Sequence, residues 1–210
     1  MNEYLFENVL EKLDVTKKQK DVLRASLDLF SGKGFEETTT KDISTLAGVS
    51  EGTVYKVYKT KQAILDAIIA PFIKQELPEM VDDVKDLINS ERNIPVKEYF
   101  RMIAADRFKL INDNKKLLRV VIRSMLIENT AKEIITERIF KMIFGDFNNV
   151  IKYYQDQGEI EKKPVTEILH VIVGIIASYA FPVILGIENK INVEEAANNV
   201  SHYLTKALKD

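Results

Sequence analysis

The chain has 210 residues, of which 46% are hydrophobic and 30% charged, and this composition excludes a wholly disordered protein. Its 30 Lys and Arg residues against 32 Asp and Glu give a formal net charge of -2, which excludes a uniformly basic coat for nucleic acid but not a local basic patch. The absence of cysteine excludes disulfides, cysteine-ligated zinc and thiol chemistry. Only His170 and His202 supply imidazole, and their separation of 32 residues makes a metal site or a catalytic triad a poor expectation. We expect no cofactor.

Hydrophobic residues at helical spacing predict an amphipathic helix over 4–13 and a second one over 17–31, which Gly32 and Gly34 end. The N-terminus is acidic where a secretory signal is basic and then apolar, so we expect no export signal and a cytoplasmic protein.

Cap and breaker residues predict three further helices in the next part of the chain. Thr38–Thr40 offer N-caps for a short helix, Gly48 ends it, and Ser50 caps the next one. Thr60 caps a longer helix that begins at Lys61. Kinks or breaks in that longer helix are predicted at two prolines, Pro71 and Pro78.

The remainder of the chain also reads as helical, so we predict an all-α protein. Strand-like alternation is absent, and the predicted helices lie near 95–113, 115–128, 131–157, 165–187 and 193–208. The net charge is -3 over an N-terminal extension helix (1–16), +3 over residues 17–64, which we call the head, and -2 over a helical body (65–210). The head is therefore the electropositive part.

Two short helices around a tight turn in the head predict a helix-turn-helix. Ile43, Leu46 and Ala47 give the first helix an apolar face, and Gly48 stands where the turn requires a positive φ. The second helix presents its N-terminal end to a major groove. Caps, hydroxyls and lysines surround that end, and the residues predicted to contact DNA are Thr39, Thr40, Lys41, Ser50, Glu51, Gly52, Thr53, Tyr55, Lys56, Tyr58 and Lys61.

Residues 17–65 resemble the N-terminal domain of TetR-family transcriptional regulators. The matching motifs are Phe30–Phe35, Thr38–Thr39, Asp42–Ile43, Ala47–Ser50 and Gly52–Tyr55, followed by Lys61 and Leu65. Departures from the family pattern occur at Ser44, Val57 and Tyr58. The resemblance implies a three-helix head on a larger helical body, and a homodimer that is usually a repressor and binds a small ligand.

A homodimer lets two heads read a palindromic operator, and the interface must then come from the body. Helices 165–187 and 193–208 are predicted to form it, because the first is apolar over more than one face with small residues that permit close approach, and the second adds further apolar residues. The alternative reading of both helices is intramolecular core.

Aromatic and aliphatic residues of the body are the candidates for an effector pocket. Arg107 and Arg123 are added as polar anchors for an anionic ligand. The full set is Phe100, Ile103, Ala104, Arg107, Phe108, Ile122, Arg123, Met125, Leu126, Phe144, Phe147 and Tyr179. Core packing is the alternative role for each of them.

The predicted mechanism is a relay in which the ligand shifts the helix that begins at Lys61 and so changes the separation of the heads. In this interpretation Tyr55 and Lys61 contact phosphates, whereas Thr53 and Lys56 influence base preference.

The sequence leaves two other functional classes as alternatives. Residues 168–187 contain no formal charge and are long enough to cross a bilayer, which leaves a membrane-associated sensor as the alternative to a buried helix. An enzyme is disfavoured, because Gly32–Lys33–Gly34 lacks the spacing of a phosphate loop.

Overall fold

The computed structural model describes residues 5–76, 94–127 and 147–209. Within these ranges the chain is helical and contains no strand, so the all-α prediction is confirmed. The helices are α1 Leu5–Lys12, α2 Lys17–Gly32, α3 Thr40–Ala47, α4 Glu51–Val57, α5 Lys61–Pro71 with a π-helical segment Phe72–Glu76, α6 Val96–Ile127, α7 over 147–156, α8 Val165–Leu185 and α9 Val193–Leu208.

The described residues fall into two compact units. Unit 1 contains residues 5–76 and 114–127, and unit 2 contains residues 94–113 and 147–209. The extension helix and the head that the sequence predicts as separate segments thus share one unit with the second half of α6. The predicted division into an extension helix (1–16), a DNA-binding head (17–64) and a body (65–210) stays a prediction.

Side-chain caps fix the helix starts in unit 1. Thr16 forms a capping box with Gln19, and Thr60 accepts a hydrogen bond from the Ala63 N–H at 3.0 Å. Such caps satisfy N–H groups that have no partner within the helix. The predicted cap at Thr60 is confirmed.

The N-terminal helix α1 is a packed part of unit 1. Val9 and Leu10 are at most 1% exposed, and the backbone N–H of Leu5 donates to Asn114 Oδ1 at 2.7 Å. On the outer side, the Arg24 guanidinium donates to both carboxylate oxygens of Glu7 at 2.7–3.1 Å. This hydrogen bond raises the pKa of Arg24.

Helix α5 changes its winding at Pro71. A proline has no N–H to donate to the carbonyl four residues earlier, and its ring crowds that carbonyl. The next five residues, Phe72–Glu76, form a π-helical turn, and the Phe72 N–H bonds to the Ile69 carbonyl. The predicted irregularity at Pro71 is confirmed, whereas Pro78 lies outside the described residues.

Helix α6 joins two segments that the sequence predicts as separate helices. Asn114 alone departs from helical geometry, with φ -119° and ψ 17°. The predicted boundary between the helices 95–113 and 115–128 is confirmed as a kink at this residue, and the buried Asn114 amide is held by the bond from Leu5. The predicted helix over 131–157 is described only over 147–156.

Unit 2 packs α7, α8 and α9 with the first half of α6. Its fully buried side chains include Phe108, Ile168, Leu169 and Leu204. Hydrogen bonds between distant residues hold these helices together. For example, the Asn112 side-chain amide donates to the Ile191 carbonyl and accepts from the Ile191 backbone N–H.

Candidate functional site

The predicted helix-turn-helix is built from local backbone chemistry. Thr39 and Asp42 form a capping box at the start of α3, and Gly48 ends the helix in the left-handed region with φ 66° and ψ 33°. Ser50 then caps α4 by accepting from the Thr53 N–H at 3.2 Å. These caps and the positive φ predicted for Gly48 are confirmed.

One side of this motif is buried and the other is open. Ile43 and Val54 are completely buried and anchor α3 and α4 in unit 1. Tyr55 is 48% exposed and Leu46 is 55% exposed. The interpretation of Leu46 as part of the inward face was wrong, because its side chain stays exposed although it lies about one helical turn from buried Ile43.

The predicted DNA-contacting residues all remain at least partly accessible. Seven are exposed: Thr39, Lys41, Ser50, Glu51, Gly52, Tyr55 and Lys56. Four are half-buried: Thr40, Thr53, Tyr58 and Lys61. Burial raises the pKa of the Tyr58 hydroxyl. A DNA-contacting surface requires this accessibility, and the individual contacts stay predictions.

Polar side chains of α3 and α4 are linked to one another across the motif. Thr40 Oγ1 lies 2.8 Å from Glu51 Oε1 and 3.2 Å from the Tyr55 hydroxyl. A second pair of hydroxyls, on Ser50 and Thr53, is 2.8 Å apart. The N-terminal end of α4 therefore carries an organised polar surface.

Asp42 fastens α3 to the end of α2. Its Oδ2 accepts from Lys33 Nζ at 2.6 Å and from the Thr39 N–H at 2.9 Å. These hydrogen bonds, with the Lys33 bond as the largest cause, hold the pKa of the carboxyl well below its ordinary range.

We expect Asp42→Asn to lower the urea midpoint of unfolding at pH 7, and we expect the difference from wild type to shrink in acid. A carboxyl whose pKa is lowered by folding adds stability above its unfolded pKa of about 4. That stability is lost as the pH falls through the lowered value. Paired urea titrations at pH 7 and pH 3 test this, and an equal difference at both pH values contradicts it.

Lys61 has an intramolecular partner set that the sequence did not reveal. Its Nζ donates to the carbonyls of Phe35, Glu36 and Thr38 at 2.6–3.1 Å and lies 4.4 Å from the centre of the Phe35 ring. The ammonium thus clamps the loop between α2 and α3. The phosphate contact expected of Lys61 stays a prediction. It requires Lys61 to give up one of these three hydrogen bonds and donate to the phosphate instead.

The predicted effector residues are divided between the two units. In unit 2, Phe100, Ile103, Ala104 and Phe108 are buried core residues, and the Phe108 ring lies 5.6 Å from that of Tyr179. Arg107 pairs with Asp106, and Phe147 is half-buried. In unit 1, Ile122, Arg123 and Met125 are half-buried, whereas Phe144 and the Leu126 side chain lie outside the described residues.

Two arginines of α6, Arg119 and Arg123, donate hydrogen bonds to carbonyls at the C-terminal end of α2. Arg123 Nη1 lies 3.3 Å from the carbonyls of Phe30 and Ser31, and Arg119 Nη1 lies 3.2 Å from the Ser31 carbonyl. Burial and then the positive charge of Arg123 lower the pKa of Arg119. These guanidiniums satisfy carbonyls at a helix C-terminus, where positive charge is favourable.

Each unit contains a cavity large enough for a small molecule. The unit 1 cavity measures about 420 Å³, and Phe30, Phe35, Leu65, Val120 and Arg123 form part of its lining. The unit 2 cavity measures about 410 Å³ and is lined by residues of α8, α9 and the segment between them: Ile175, Ser178, Tyr179, Pro182, Glu188 and Tyr203. Arg123 and Tyr179 are the predicted effector residues that line these two cavities.

A buried hydroxyl in unit 2 was missed by sequence reasoning. Tyr99 is 6% exposed, and its hydroxyl has no hydrogen-bond partner within the described part of the chain. Burial, followed by the neighbouring Tyr154, raises the pKa of Tyr99, and burial also raises the pKa of Tyr154 to about 12. Helical spacing alone does not distinguish such a residue from an apolar core aromatic.

The apolar helix α8 is only partly covered. It has 21 residues, and a third of its most apolar stretch, with mean hydropathy 2.3, is buried. Its length and composition would allow it to cross a membrane, although a single helix of this kind also occurs in soluble proteins. Its exposed apolar side chains, together with those of the following segment and α9, form what we call the α8–α9 patch: Val173, Phe181, Leu185, Ile187 and Tyr203.

Comparison with known proteins places the helix-turn-helix in a described family. Residues 22–68 match the model for bacterial regulatory proteins of the tetR family. Over 201 residues the chain is 24% identical to the uncharacterized HTH-type transcriptional regulator YerO of Bacillus subtilis. That alignment covers 93% of this chain and 65% of YerO, so the chain spans just under two thirds of this relative.

Solved structures share the fold over most of the chain. The transcriptional regulator FadR from Bacillus subtilis, in complex with stearoyl-CoA, has a TM-score of 0.64 at 19% identity, covering 90% of this chain and 98% of FadR. The TetR-family regulator PfmR from Thermus thermophilus has a TM-score of 0.68 at 16% identity, covering 90% of this chain and 99% of PfmR. The family match over residues 22–68 and the similarity to YerO do not favour the membrane-sensor alternative.

Proposed function

Because this chain belongs to the TetR family of transcriptional regulators, we propose that it binds an operator in duplex DNA as a cytoplasmic homodimer and acts as a repressor. A small apolar or amphipathic effector releases the operator. The proposal assigns the chain no catalytic role.

The observation that carries this proposal is the geometry of α3, the turn and α4. Buried Ile43 and Val54 fix the motif from inside, while Tyr55, Lys56 and the other predicted contact residues remain accessible outside. A recognition helix needs this separation between an anchoring face and a face that reaches base edges and phosphates.

The α8–α9 patch supports dimerisation in solution. Five large apolar side chains of the patch are 44–77% exposed. Large apolar side chains exposed to water are unfavourable, and several of them on neighbouring elements are typical of a subunit interface. Gly174 lies on the same helix, and a Cβ added there meets nothing within 4 Å, so a second helix can approach closely at this position.

We propose an apolar or amphipathic effector because the predicted effector residues are mostly apolar, with few polar groups among them. Stearoyl-CoA is bound by FadR, a protein with the same fold, and supports an amphipathic effector with an anionic part. We propose that effector binding is relayed to the head through helix α5, where Pro71 and the following π-helical segment interrupt regular winding.

The proposed function is tested by selecting binding fragments from genomic DNA with the purified full chain. We expect saturable binding to a duplex with two related half-sites, and weaker binding with rising salt. Long-chain acyl-CoA is then titrated into the complex to test release. Absence of binding to every duplex at low ionic strength contradicts the DNA-binding function, whereas binding without release contradicts only the effector proposal.

We expect Gly52→Ala to raise the stability of the fold by about 0.5 kcal/mol while lowering DNA affinity by about tenfold. A Cβ at Gly52 meets only Ser50 Oγ, at an ordinary 3.9 Å, so the free protein accommodates it. A methyl group on the exposed N-terminal end of α4 would nevertheless separate that end from DNA. Thermal unfolding and fluorescence anisotropy measure the two effects.

Gly32→Ala is the matched control for this prediction. Gly32 ends α2 outside the predicted contact set, and a Cβ there meets nothing within 4 Å. We expect this variant to retain wild-type DNA affinity. Equal affinities of wild type, Gly32→Ala and Gly52→Ala contradict the placement of α4 against DNA.

A further inference from the structure

The cluster of Thr40, Glu51 and Tyr55 has a defined direction of hydrogen bonding. Thr40 Oγ1 is within bonding distance of both Glu51 Oε1, at 2.8 Å, and the Tyr55 hydroxyl, at 3.2 Å. Thr40 begins α3, whereas Glu51 and Tyr55 lie one turn apart on α4. The cluster therefore ties the two helices of the motif together on its accessible side.

Counting protons settles which group donates. A threonine hydroxyl has one proton, and an ionised carboxylate only accepts hydrogen bonds. Thr40 therefore donates to Glu51, and its oxygen accepts from Tyr55. The Tyr55 proton is directed toward Thr40, so the free surface of the cluster presents acceptors, namely the second oxygen of Glu51 and the outward lone pairs of Tyr55.

An acceptor surface matches base edges better than phosphates. Phosphate oxygens also accept hydrogen bonds, so they do not complement Glu51. In the major groove the donors are the amino groups N4 of cytosine and N6 of adenine. Adenine N7 lies beside N6 and would face the carboxylate with a second acceptor, whereas cytosine offers its amino group without such a neighbour.

We infer that Glu51 reads a cytosine amino group in each half-site and that Thr40 is the positioning residue that holds its carboxylate. This inference rests on the proposed DNA-binding function. It also changes the expected role of Tyr55 from a phosphate donor to a support for Thr40. Base preference at one position then depends on a hydrogen bond between α3 and α4.

The test compares the wild-type full chain with Glu51→Gln and Thr40→Val. Half-sites are selected from a random duplex library, and dissociation constants are measured for duplexes that differ at single positions. Wild type is expected to prefer cytosine over thymine at one position by about five- to tenfold. Glu51→Gln should move that preference to adenine, because an amide pairs with both N6 and N7.

Thr45→Val is the matched control for Thr40→Val. Thr45 is an exposed threonine on the same helix, and its hydroxyl donates to the Lys41 carbonyl at 2.8 Å. We expect Thr40→Val to reduce the cytosine preference to about twofold and Thr45→Val to leave it unchanged. Thermal unfolding of each variant verifies that the fold is retained.

The possible results separate this inference from the proposed function. Identical base preferences for wild type and Glu51→Gln at every position overturn the role of Glu51. Equal effects of Thr40→Val and Thr45→Val overturn the positioning role of Thr40. In both cases the proposed function stands if duplex binding persists, whereas a wild-type protein that binds no duplex overturns both.

Discussion

We expect Leu185→Glu to convert the protein in solution from a dimer to a monomer and to lower its operator affinity by at least about a hundredfold. Leu185 is 50% exposed at the end of α8, within the α8–α9 patch. A carboxylate placed there would be desolvated without a partner in an apolar interface. Once the dimer is lost, the second half-site is no longer bound intramolecularly, and that linkage contributes about 10²–10⁴ in affinity.

Sedimentation velocity and operator titration measure the two consequences of this substitution. Tyr153→Glu is the control, because Tyr153 is a 37% exposed aromatic residue on α7, outside the α8–α9 patch. We expect the control to remain dimeric and to bind the operator as wild type does. A Leu185→Glu protein that sediments as the dimer contradicts the proposed interface.

We expect Lys61→Ala to destabilise the fold by about 2 kcal/mol. The ammonium donates to three carbonyls in the loop between α2 and α3, and charge-assisted bonds of this kind are stronger than neutral ones. Their removal leaves the partly buried carbonyls of Phe35 and Thr38 without this donor. Urea denaturation of the full chain measures the change in the free energy of unfolding.

The salt dependence of DNA binding distinguishes two roles of Lys61, namely clamping the loop between α2 and α3 and contacting a phosphate. Loss of one phosphate contact reduces the slope of log affinity against log salt by about one unit. Loss of the clamp alone lowers affinity and leaves that slope unchanged. Lys59→Ala is the control for stability, since Lys59 is exposed two residues earlier, and an equal destabilisation of both variants contradicts the clamp.

Features that depend on neighbouring residues were predictable from the sequence. Thr39, Ser50 and Thr60 cap helices through N–H groups three residues away, and Gly48 supplies a positive φ within its own turn. The chemistry of such sites is complete within a few residues. The helix-turn-helix could therefore be located and bounded from the sequence alone.

Features that depend on distant residues were not predictable in the same way. The carbonyl partners of Lys61 lie 23–26 residues earlier, and the bond between Leu5 and Asn114 joins residues 109 positions apart. Helical periodicity indicates that a face is apolar but not which unit contains it. For this reason the predicted effector residues fell into two units, and exposed Leu46 was assigned to the core.

The central claim is that α4 enters the major groove twice in each complex. Hydroxyl-radical footprinting of the selected operator, with the chain-to-duplex ratio measured on the same sample, tests it most directly. We predict two chains per duplex and two protected segments whose centres lie about 34–36 Å apart, or a multiple of that distance. A single chain per duplex, or a duplex without protected segments at saturating protein, would contradict the account.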